Sequence, residues 1–81
     1  MEVFVGQIVH YVLPDGPSIG ECRPAVVVKV WGTTSVVNLQ IFTDRLNDDQ
    51  DFCVVWQTSV LYVPEKLDGG WHFIDDGCLG E

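Results

Sequence analysis

The feature that most restricts this chain is that every β-branched or aromatic run in it is short and stopped by a turn-former. QIVHYV, residues 7–12, lies between Gly6 and a loop holding Pro14, Gly16, Pro17 and Gly20. AVVVKVW, residues 25–31, ends at Gly32, and SVVNLQIF, residues 35–42, follows at once, so the two form a hairpin. Alternation assigns Val26, Val28 and Val30 to the inward face of the second strand and Lys29 and Trp31 to the other. In the third strand Val37, Leu39 and Ile41 point inward and Asn38 and Gln40 outward, as in a strand wetted on one side. Residues 54–56 and 59–63 form either one strand bent near Gln57-Thr58 or two pieces, and Pro64 ends the run because it has no N–H for a ladder. WHFI, residues 71–74, is a closing strand, and the polar tail 75–81 frays.

No stretch of ten residues has helical periodicity, and there is no internal repeat. Residues 1–81 therefore read as one all-β domain, a small, strongly bent antiparallel SH3-like barrel of about five strands with little or no helix. An OB-like barrel is the alternative. Closure also answers the exposed-edge problem that so many valines create.

Charge narrows the partners. Twelve acidic and four basic residues give a net charge of −8, which repels free nucleic acid and favours a basic partner or mimicry of a polyanion. A domain of 81 residues buries a modest share of its surface, so self-association into a homo-oligomer is an expected source of stability. No apolar run approaches the ~20 residues of a membrane span, and MEVFVGQIV lacks the pattern of a signal peptide, so the expected location is the cytoplasm. Cys22, Cys53 and Cys78 are odd in number and form no C-x-x-C pair; even with His10 and His72 added there is no finger-like spacing. Neither a disulfide framework nor a zinc site is indicated, and no cofactor is expected.

Individual residues offer chemistry beside plainer readings. Arg23, fixed by Pro24, has the planar fork for a bidentate grip on phosphate or carboxylate; alternatively it pairs with Asp15 or Glu21 and pins the loop. Lys29 and Trp31 share a face on which an indole can stack a base while cations hold phosphate, and Asn38 and Gln40 project where they can read a ligand by hydrogen bonds. Two of the three tryptophans are expected to be structural, Trp31 being the one left for an interface. Asp44, Asp48, Asp49 and Asp51 mark an exposed acidic loop, too irregular for an EF-hand, that either is simply solvated or docks on a basic partner. His10 alternates with Ile8 and Val12 as a half-buried, satisfied histidine, and nothing beside Cys22 marks a thiol nucleophile.

Two family resemblances follow from these motifs. GQIVHYVLPDGP, RPAVVV, VNLQIFTD, the later ND, WQTSV and GGWHF resemble a group of small, mostly uncharacterised bacteriophage and prophage proteins over most of the chain. That likeness implies a phage setting and no particular activity. Residues 6–44 also resemble the MazF-like toxin ribonucleases, SH3-like barrels whose catalytic arginine precedes a proline. Arg23 matches that arginine and Thr43 a threonine closing a later strand, which implies metal-independent RNA cleavage. The chain is shorter than those toxins and lacks their C-terminal helix, and the acidic loop beside Thr43 repels RNA.

The expectation is thus a non-enzymatic, self-associating phage-type protein that captures a small anionic ligand, such as a nucleotide immune signal, or a host protein, in counter-defence. Its ligand-binding candidates are Arg23, Lys29, Trp31, Asn38, Gln40 and Thr43. The alternatives are an acidic plug for a basic groove on a host protein, working through Asp44, Asp48, Asp49 and Asp51; the metal-independent ribonuclease using Arg23 and Thr43; and a virion structural protein.

Overall fold

The computed structural model describes residues 3–32, 34–48 and 52–76. Their elements are β1 (Ile8–Val12), β2 (Cys22–Val30), β3 (Val37–Phe42), β4 (Val54–Val60), β5 (Trp71–His72) and a 3-10 turn at Ile74–Asp76. All ladders are antiparallel, in one sheet ordered β4-β3-β2-β1-β5. The all-β reading therefore holds, and no described helix is long and apolar enough to cross a membrane.

The strands follow the alternation except where bulges reset it. Val37, Leu39 and Ile41 are buried as expected. In β2 the expected inward set of Val26, Val28 and Val30 is corrected: Ala25 and Val27 are fully buried, Val28 is exposed, and only Val30 packs on the core. The cause is a bulge. Val27 faces Leu39 and Lys29 faces Asn38, so Val28 is the extra residue that shifts the phase. A second irregularity lies where Val37 pairs with Val60 and Leu39 with Gln57, making β4 one continuous strand with its extra residues at Thr58 and Ser59. Ser59 takes φ 56° there. β2 also starts earlier than expected, taking in Cys22, Arg23 and Pro24. Pro24 is tolerated because pairing with β3 begins only at Ala25.

The core lies on one face of the curled sheet, built from Val9 and Tyr11 of β1, the inward residues of β2 and β3, Val60, and Trp71. Trp71 is fully buried, and its indole N–H donates to the Ser35 carbonyl oxygen at 2.8 Å, tying β5 to the β2–β3 turn. Among the described residues, β4 and β5 form no ladder with each other. The chain leaving β4 bridges the gap: Trp71 N donates to Leu61 O at 2.9 Å and Val63 N to Trp71 O at 2.8 Å. Gly70 permits this approach, since a Cβ there would stand 2.8 Å from Val63 Cγ2. The expected closing strand 71–74 is cut to two residues because the Asp76 carboxylate accepts from Phe73 N at 2.9 Å and turns the chain into the 3-10 turn.

Candidate functional site

Arg23 meets a carboxylate, but from an unexpected quarter. Its Nε donates to Asp48 Oδ2 at 2.8 Å and its Nη2 to Asp48 Oδ1 at 2.6 Å, a bidentate fork across 25 residues of sequence. Nη1 donates to Glu21 Oε1 at 3.2 Å and to the Cys22 carbonyl oxygen at 3.0 Å. The loop-pinning reading named Glu21 correctly and missed Asp48. Asp48 is only 1% exposed, which corrects the expectation of a wholly solvated acidic loop. The Arg23 hydrogen bonds hold its carboxyl at a pKa of about 2 against burial, which opposes the charge.

Asp48 Oδ2 also accepts from Asp44 N at 2.7 Å. Arg23 and the Thr43–Asp44 corner therefore do converge, with the Asp48 carboxylate lodged between them. Thr43 Oγ1 donates to the Phe52 carbonyl oxygen at 2.8 Å. Thr43 borders an open cavity of about 190 Å³ that Tyr11, Leu13, Ile41 and Val55 line with Asp15 and Gln57. Drug-sized ligands occupy roughly 300–1,000 Å³, so this cleft suits a small group rather than a whole nucleotide. Asp44 is exposed, while Asp49 and Asp51 lie outside the described residues.

Lys29, Trp31 and Asn38 gather at one end of the opposite sheet face, away from Arg23. Lys29 Nζ lies 4.0 Å from the centre of the Trp31 ring, and Trp31 Nε1 donates to Asn38 Oδ1 at 2.9 Å. The same oxygen accepts from Thr58 Oγ1 and Ser59 N, both at 2.9 Å. Asn38 is thus a buried brace for the β4 bulge instead of a ligand reader on an open surface. The six ligand-binding candidates fall into two groups on opposite faces.

That second face is mostly apolar. Pairing sets Ile8, Val26, Gln40 and Trp56 in one row across four strands. The neighbouring row carries His10 and Pro24 on β1 and β2 and Phe42 and Val54 on β3 and β4. Ile8, Phe42, Val54 and Trp56 are each exposed by 42% or more. No Asp, Glu, Lys or Arg stands in either row. Of the tryptophans, Trp71 is buried and Trp31 is held by Asn38, so Trp56, and not Trp31, is the one that stands most open.

At the β5 end of this face, strand register assembles a group that the sequence spacing hid. His10 pairs with His72, their rings meeting edge to face at 5.3 Å, and Cys22 Sγ lies 3.2 Å from His72 Nε2. The candidate ligand atoms of all three residues lie within 4.8 Å of one another. Burial first, and the neighbouring His72 second, lower the His10 pKa, favouring the neutral ring. Cys22 is disulfide-bonded, contrary to the cysteine-count reading. Cys53 is an exposed free thiol, and Cys78 lies outside the described residues. No protein-family model matches the chain, and no curated protein and no solved structure matches it either.

Proposed function

We propose that this protein is a non-enzymatic, phage-type binding module that associates with a second copy of itself through the apolar face of its sheet. The observation that carries this reading is the pair of uncharged rows, with Phe42, Val54 and Trp56 exposed together on the adjacent β3 and β4 and Ile8 exposed on β1 at the far end of the Trp56 row. Contiguous apolar patches of this kind mark interaction sites. The occupant follows from charge. A chain of net charge −8 repels its own copy over most of its surface, and the two rows bring no like charges together. Isologous pairing of such a patch closes into a dimer and hides it from water.

The engagement of Arg23 by Asp48 and Glu21 favours this reading over anion capture or RNA cleavage, since both need a guanidinium open to a phosphate. Burial of Asp48 likewise removes one acid from the polyanion-mimic alternative.

Sedimentation velocity over a concentration series tests the proposal. The expected result is a concentration-dependent dimer for the parent chain and a monomer for Trp56→Glu, with unchanged far-ultraviolet dichroism. A parent that stays monomeric at every concentration, or a folded Trp56→Glu that dimerises as the parent does, overturns it.

A further inference from the structure

We propose that, once Cys22 is reduced, His10, Cys22 and His72 hold a divalent transition-metal ion of the zinc type. Three strands supply the ligands: His10 from β1, Cys22 from β2 and His72 from β5. In a tetrahedral zinc site with bonds of about 2.0–2.3 Å, neighbouring ligand atoms stand roughly 3.3–3.8 Å apart. The Cys22 Sγ to His72 Nε2 distance of 3.2 Å is close to that edge, and the 4.8 Å limit on the full set lies within reach of small side-chain rotations. One thiolate and two imidazoles suit zinc, and also its spectroscopic stand-in cobalt.

The second ring nitrogen of His72 is already committed. Nδ1 lies 2.9 Å from the Phe73 carbonyl oxygen, to which only an Nδ1–H can donate, so in the neutral ring Nε2 presents its lone pair towards Cys22. Carbonyl-held imidazoles of this kind are the usual second layer of metal sites. His72 is fully buried, and its orientation is therefore fixed before any metal arrives. Among the described residues this is the one such group of three or more His, Cys, Asp or Glu side chains. The fourth position is left to water.

The disulfide sets a condition. A dithiol such as dithiothreitol, itself oxidised to a cyclic disulfide, gives two electrons and two protons to the S–S bond of Cys22 and leaves two thiols. On binding, the metal displaces the Cys22 thiol proton to solvent and takes the sulfur as thiolate. Disulfide and metal are thus exclusive uses of one sulfur.

The test uses the full chain carrying Cys53→Ser, so that the exposed thiol cannot bind metal, reduced and freed of metal without air. Titration with Co²⁺ is expected to reach one equivalent, with a thiolate-to-cobalt charge-transfer band and strong four-coordinate visible bands that Zn²⁺ abolishes. The oxidised chain is expected to give neither. His10→Ala and Cys22→Ser should each weaken binding at least about tenfold. Should a variant fail to fold, proton NMR of the parent decides, because Zn²⁺ must shift the ring protons of both His10 and His72. A folded, reduced parent that shows no cobalt–thiolate band, folded variants that bind as the parent does, or ring protons that Zn²⁺ leaves unmoved overturn the site.

Discussion

Asp48 shows how a single side chain decides what its neighbour can do. Its folded-state pKa of about 2 lies below the ordinary 3.8, so its charge favours the fold above roughly pH 4, and that contribution is lost as pH falls through 2. Denaturation measured from pH 5 to 2 should therefore weaken the parent more steeply than Asp48→Asn, whose side chain cannot titrate. Removing one member of a buried pair costs about 3 kcal/mol, and Asp48→Ala should lower stability by that order in urea titrations at pH 7. Arg23→Lys should lose most of the same energy, because an ammonium cannot make the fork. Asn38→Ala leaves Trp31 Nε1, Thr58 Oγ1 and Ser59 N without their shared acceptor, and a loss of about 2 kcal/mol is expected by the same measurement. The sequence made Arg23 legible as a loop anchor, since Glu21 is two residues away. Asp48 was not legible, because only the fold brings it across 25 positions.

At the scale of elements, the two bulges and the β5 junction are the places where sequence alone and structure part company. The inward set of β3 could be read because its Asn and Gln stand between apolar residues and carry the phase. In β2 the run of three valines carries none, so a bulge at Val28 leaves no mark in the residue types. Strand register hid the His10–Cys22–His72 group for a related reason: its ligands come from three strands, and Cys22 and His72 are 50 residues apart. No local spacing can reveal such a site. The β5 junction gives a test of how tightly its parts fit. Gly70→Ala drives a methyl group into Val63 and should cost about 2 kcal/mol, with faster hydrogen exchange at the Trp71 and Val63 amides. In the turn that follows Pro64, Lys66 holds φ 62°, a conformation glycine takes without strain.

For the whole molecule, one sheet presents a packed side and an apolar side that faces water. The core cluster covers the first, and the acidic residues leave two uncharged rows on the second. Such an arrangement couples solubility to association, so added salt should strengthen self-association by screening the net charge of −8 while leaving the apolar contact in place. Sedimentation at low and high salt checks this, with a larger dimer fraction expected at high salt. The three tryptophans, at 0%, 41% and 55% exposure for Trp71, Trp31 and Trp56, divide the chain into separate optical reporters. Trp71 emission, from an apolar interior, should be blue-shifted and shielded from acrylamide, tracking the fold alone. Emission from Trp56 should be quenched freely in dilute protein and become protected as concentration rises. A single fluorescence experiment on unlabelled protein can thus separate unfolding from assembly by colour and by quencher access.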